Sequence, residues 1–131
     1  MLTLICGLPN AGKTTYSAQF ENVIHTDDVP CVKGHGHMRT VCEMITGKTE
    51  DVCVEGLFPT RHSRRMLIHA AGDTYKKCIW LNTPADECIR RENRGRNKCI
   101  VTNSQQIFQP PTYEEGWDEI IIIGDNNGES N

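Results

Sequence analysis

Gly7-Leu8-Pro9-Asn10-Ala11-Gly12-Lys13-Thr14, close to the N-terminus, has the residue types and spacing of G-x-x-x-x-G-K-[ST], a phosphate-binding loop. Glycine at both ends lets the backbone curl through angles that other residues avoid. The curl turns successive N–H groups inward onto an anion, and the start of the following helix adds its positive end. Lys13 reaches the β- and γ-phosphates of a nucleoside triphosphate, and the Thr14 hydroxyl is offered to Mg²⁺. The expected nucleotide-binding set is Gly7, Leu8, Pro9, Asn10, Ala11, Gly12, Lys13, Thr14 and Thr15.

Carboxylates follow at two places. Asp27 and Asp28 precede a proline-containing turn, and Glu55 closes an apolar run. Transfer of a phosphoryl group to an alcohol needs the hydroxyl held in line and its proton accepted late, so one acid beside the γ-phosphate suffices. Asp27 and Asp28 are the expected acceptor-side candidates, one beside the γ-phosphate and its neighbour aiding metal binding or capping a helix. Glu55 holds Mg²⁺ through water, touches the acceptor, or polarises a water as in an ATPase. Arg90, Arg91, Arg94 and Arg96 crowd one short stretch, with Arg90 and Arg94 at i, i+4. Arginines on a closing lid neutralise charge on a group in transfer. Arg61-His62-Ser63-Arg64-Arg65 is either a contact for a phosphorylated or polynucleotide acceptor or an exposed helix start.

The elements that position these residues follow from apolar patterning. Leu2–Cys6, Asn22–Thr26, Asp51–Gly56, Lys76–Leu81 and Glu119–Ile123 are short apolar runs with the character of buried strands. Between them a helix is expected after Lys13-Thr14. Another is expected over Met38–Ile45, where Met38, Val41, Cys42 and Ile45 have helical spacing. A third starts at Thr60 and stops at Gly72. Thr83-Pro84-Ala85-Asp86-Glu87 is a helix start, and that helix is expected to carry Arg90, Arg91 and Arg94. A short helix is expected near Ser104–Phe108. Strands alternating with helices imply an α/β fold, a parallel five-stranded sheet flanked by helices in three layers. Ligands bind such sheets at the carboxyl ends of the strands. The phosphate loop, Asp27-Asp28 and Glu55 all fall there.

With 131 residues the chain has room for one domain, and a formal net charge of -3 gives no bulk attraction to nucleic acid. The seven cysteines are odd in number and none forms C-x-x-C, which points to reduced thiols and a cytoplasmic protein. No apolar run is long enough for a bilayer, and no obligate protein partner is implied. Cys31, His35, His37 and Cys42 lack the spacing of a standard zinc site. Gly47-Lys48-Thr49 lacks the upstream glycine of a second phosphate loop. Asp125-Asn126-Asn127-Gly128 follows the last strand and has no N-K-x-D companion, unlike a GTPase.

Over nearly its whole length the chain resembles the P-loop kinases that include the kinase domain of phage-type polynucleotide 5′-hydroxyl kinases. The resemblance rests on Gly7–Thr14, Asp27-Asp28, Glu55, Arg64 or Arg65, Trp80–Pro84, Arg90 and Arg94, and the ending Pro111-Thr112-Tyr113-Glu114-Glu115-Gly116-Trp117-Asp118. It implies a kinase domain over residues 1–124 with a lid near 88–100, then a polar tail over 125–131. It implies ATP and Mg²⁺ as cofactors, with Lys13, Asp27, Arg94 and Arg90 catalytic. Asp28, Glu55 and Arg64 would lie on the acceptor, and Thr14 and Glu55 at the metal. The expected acceptor is a nucleic-acid 5′-hydroxyl or a nucleotide. A small-molecule kinase for a sugar or nucleoside, and an ATP-binding switch or slow ATPase, are the alternatives. The chain departs from the polynucleotide kinases in having no arginine just past the paired acids, around Val29-Pro30-Cys31.

Overall fold

Leu2–Cys6 is buried along its entire length and forms the first strand, β1. Leu2, Leu4 and Cys6 join one apolar cluster and Ile5 joins another, so both faces of this strand must be covered. The computed structural model describes residues 1–30 and 36–124 and meets that requirement. After β1 come α1 (Lys13–Ser17), β2 (Val23–His25), a 3-10 turn (Thr26–Asp28), α2 (Met38–Ile45), β3 (Val52–Gly56), α3 (Arg61–Ala71) and β4 (Lys76–Asn82). Then follow α4 (Ala85–Arg90), α5 (Cys99–Ile107), a second 3-10 turn (Tyr113–Glu115) and β5 (Glu119–Gly124). The strands lie in the order β2-β3-β1-β4-β5, and every pairing is parallel. Val41, Ile45 and Leu67 bring α2 and α3 onto one face, and Cys88 and Val101 bring α4 and α5 onto the other.

Register decides what meets at the carboxyl edge. Ile5 pairs with Glu55 across β1 and β3, and His25 pairs with Glu55 across β2 and β3. The chain visits β2 and β3 on one side of β1 before crossing to β4. The loop after β1 therefore sits at a topological switch point, where a crevice opens.

Three expectations about the helices need correction. The helix after Pro84 ends at Arg90, so Arg94 lies beyond it and shares no helix face with Arg90. Thr83 does not cap that helix, because its hydroxyl donates to the Ala11 carbonyl at 2.9 Å and ties β4 to the phosphate loop. The helix expected near Ser104–Phe108 starts earlier, at Cys99.

Arg64 is also corrected. It is fully buried and donates through Nε to Glu115 Oε1 at 2.7 Å and through Nη2 to Glu115 Oε2 at 3.0 Å. Two further donors reach the carbonyls of Phe58 at 2.8 Å and Gln109 at 2.7 Å. Glu115 also accepts from Trp117 Nε1 and the Thr112 backbone N–H. The ending Pro111–Asp118 is thus stapled to α3 through the buried Glu115, and Arg64, wholly buried, spends four of its five N–H donors inside the protein.

Among the described residues no helix is long and apolar enough to cross a membrane, and no cluster of three or more His, Cys, Asp or Glu side chains is placed to hold a metal. The tail at 125–131, the Asp125–Gly128 motif, and Cys31 and His35 lie outside the described residues.

Candidate functional site

The phosphate loop is shaped by backbone that only small residues tolerate. Gly12, at the mouth of α1, has φ 101°. A Cβ on Gly7 would stand 2.7 Å from the Leu81 carbonyl oxygen, so only glycine lets the loop pass this close to β4. Lys13 folds beneath the loop and donates from Nζ to the carbonyls of Gly7 at 2.9 Å and Leu8 at 2.8 Å. Burial pushes its ammonium below the ordinary lysine value, against the opposing pull of the Glu55 and Asp27 carboxylates. A desolvated cation resting on neutral carbonyls gains from exchanging them for anionic oxygens.

Thr14 and Glu55 meet across α1 and β3. The Thr14 hydroxyl donates to Glu55 Oε1 at 3.2 Å, and His25 Nδ1 lies 2.8 Å from the same oxygen. The Glu55 side chain is only 8% exposed, and no described residue donates to Oε2. A buried carboxylate oxygen left without a donor is costly. A hydrated Mg²⁺, which keeps several waters and takes one or two carboxylates, would satisfy it, with the lone pairs of the Thr14 hydroxyl as a direct ligand. The residues present therefore fit Mg²⁺. Two buried strand thiols are held protonated: burial and Glu55 push Cys53 up to about 12, and the Cys6 hydrogen bond and burial push Cys78 up as well.

Lys13, Thr14, Glu55 and Asp27 line one cleft of about 760 Å³. Asp28 is exposed and does not line it. Arg91, Arg94 and Arg96 line the same cleft. Arg90 does not, and both its Nε and Nη2 donate to Glu87, the first at 2.9 Å. Glu92 organises the arginine segment. Its Oε2 accepts from the backbone N–H of Arg94 at 2.9 Å and of Arg96 at 3.1 Å. Its Oε1 accepts from Arg96 Nη2 at 3.0 Å and from Asn10 Nδ2 at 2.8 Å. Arg96 Nη2 also donates to Asn10 Oδ1 at 2.9 Å. Asn10, at the crest of the phosphate loop, is thus clasped to the arginines. No described residue accepts from the Arg94 guanidinium, which faces the cleft with its donors uncommitted.

Hydrogen bonds from Arg96 and then Asn10 pull the Glu92 carboxyl down to about 2. A folded-state value below the ordinary 4.5 stabilises the clasp above that pH, and the stabilisation is lost as pH falls toward 2. In Asn10→Ala the Glu92 carboxyl is expected to titrate at higher pH than in the parent, followed by the NMR shift of its carboxyl carbon. An unchanged titration would show that Asn10 does not hold Glu92.

Of the residues expected from sequence, the structure brings together Lys13, Thr14, Asp27, Glu55 and Arg94. It sets apart Asp28, Arg64 and Arg90. Sequence reasoning passed over His25 and Glu92. His25 lies two residues before Asp27 at the end of a strand, and Glu92 is the acid inside the arginine run.

Neither a family model nor a curated protein matches the sequence. Solved structures share the fold. A gluconokinase from Sinorhizobium meliloti 1021 superposes with a TM-score of 0.70 at 12% identity, over 95% of this chain and 82% of that one. A sugar kinase from Janibacter sp. HTCC2649 superposes with a TM-score of 0.71 at 13% identity, over 94% of this chain and 84% of that one. The likeness is one of architecture, an α/β fold. Both of these structures are kinases named for sugars or sugar acids, whereas the motifs pointed to polynucleotide kinases.

Proposed function

We propose that the protein is an ATP-dependent phosphotransferase that moves the γ-phosphoryl group to a hydroxyl of a small polyhydroxylated molecule. The carrying observation is the convergence of Lys13, Thr14-Glu55, Asp27 and Arg94 on one cleft. The acceptor hydroxyl, held beside Asp27, attacks the γ-phosphorus. The bond from that phosphorus to the β–γ bridging oxygen breaks, ADP leaves, and the hydroxyl proton passes to the Asp27 carboxylate. Lys13 and Arg94 neutralise charge on the transferring group. Thr14 and Glu55 would hold Mg²⁺, which would neutralise charge on the nucleotide phosphates.

A small acceptor is favoured over a nucleic-acid end for two reasons. The cleft, at about 760 Å³, has the size of a small-molecule site and must hold both substrates. Arg64, one of the arginines expected on a polynucleotide acceptor, is spent inside the protein. The sugar kinases that share the fold support the same choice.

The test is transfer of label from γ-labelled ATP to a panel of sugars, sugar acids, nucleosides and a 5′-hydroxyl oligonucleotide. Label is expected on a polyhydroxylated small molecule. Asp27→Asn is expected to lower that transfer by about a hundredfold while ATP affinity stays nearly constant. Label confined to the oligonucleotide would overturn the acceptor assignment. Unchanged transfer by Asp27→Asn, with loss in Asp28→Asn, would move the base to the neighbouring acid.

A further inference from the structure

We propose that His25 is a positioning residue for the metal–nucleotide site, acting through Glu55; the inference rests on the nucleotide reading above. The parallel register sets His25 directly beside Glu55, so both side chains stand on the same face of adjacent strands. The His25 ring nitrogen Nδ1 reaches Glu55 Oε1 at 2.8 Å, while Thr14 reaches the same oxygen at a longer 3.2 Å. A carboxylate held on one oxygen by a single long bond swings about its terminal torsion, which is broad and nearly two-fold. A second, shorter hydrogen bond to that oxygen from the neighbouring strand stops the swing. Oε1 then stays with the Thr14 hydroxyl, and Oε2, to which no described residue donates, is left for a ligand in the cleft that Glu55 lines. Nδ1 is the donor in this arrangement, because the carboxylate supplies the acceptor for both partners.

The His25 side chain is 34% exposed. It is not a core group whose own burial demands a partner, and the ring can be removed without opening a cavity in the apolar clusters, to which it does not belong. What it contributes is the orientation of a carboxylate, the role played by outer-shell partners in metal sites, whose loss typically costs 10–100-fold in metal affinity.

The experiment is calorimetric titration of ADP, with and without Mg²⁺, into the parent protein, His25→Ala and His25→Asn. The readout is the factor by which Mg²⁺ strengthens ADP binding, with thermal midpoints recorded alongside. His25→Ala is expected to cut that factor by about tenfold or more and to leave metal-free ADP affinity unchanged. His25→Asn, whose amide nitrogen comes near the place of Nδ1, is expected to restore most of it. An unchanged factor in His25→Ala, with or without a lower midpoint, overturns the inference and leaves the nucleotide reading standing. Failure of the parent protein to bind ADP at all overturns the nucleotide reading and the inference with it.

Discussion

Lys13→Ala is expected to reduce phosphoryl transfer by about a thousandfold or more while the protein stays folded. The ammonium is the charge nearest the floor of the phosphate loop, and its present partners are two neutral carbonyls. Burial already lowers its pKa against the pull of the Glu55 and Asp27 carboxylates, so an anionic ligand would favour the charged form further. Removing it deletes the cation that the proposed reaction sets on the transferring group and leaves the buried Gly7 and Leu8 carbonyls without that donor. A stability loss of about 1–3 kcal/mol is therefore expected beside the loss of transfer. Lys13→Arg is not a rescue, because a planar fork does not fit the slot that a single ammonium occupies beneath the loop. Steady-state turnover with a labelled acceptor, beside a thermal melt, checks both halves. Turnover equal to that of the parent would remove the phosphate loop from the reaction.

Much of this was legible in the residues because local rules and the global fold agree. The apolar run Leu2–Cys6, the glycines flanking the loop and Lys13-Thr14 specify strand, turn and helix start within a short window, and nothing distant overrides them. The carboxyl-edge rule then placed Asp27 and Glu55 beside the loop without any knowledge of strand order. What escaped depends on distant partners. Arg64 has the composition of a surface residue, and only the fold shows that Glu115 is its partner far along the chain. The strand-end histidine carries no signal until the register of β2 against β3 is known. In the arginine run, spacing alone predicts a continued helix through Arg94. Glu92 instead captures the backbone N–H groups of Arg94 and Arg96 and turns the chain out of the helix. Side chains competing for backbone donors are a known route by which a helix ends earlier than its propensities imply.

Arg64→Ala is expected to be the most destabilising single change in the described chain, by about 3–5 kcal/mol, because it strands a buried carboxylate. Both members of the pair have fully buried side chains. Burial pushes the Glu115 carboxyl up, but the bonds from Arg64, Trp117 and the Thr112 backbone outweigh it and hold the group below its ordinary value. That stabilisation is present above the ordinary carboxylate range and is lost as pH falls beneath it. The same guanidinium also holds the Phe58 carbonyl, at a residue whose φ of 41° a bulky side chain rarely adopts. Phe58 follows Leu57, which lines the cleft, so the staple fixes the loop that leaves β3 just past Glu55. A fall in melting temperature on the order of 10 °C or more is expected for Arg64→Ala and for Glu115→Ala. The paired apolar replacement Arg64→Met with Glu115→Leu is expected to recover part of that loss, since neither charge is then left alone in the core. Measured below the melting transition, Arg64→Ala should keep the parent's acceptor KM. A raised KM with an unshifted melt would instead return Arg64 to the acceptor, against the burial and bonding that remove it.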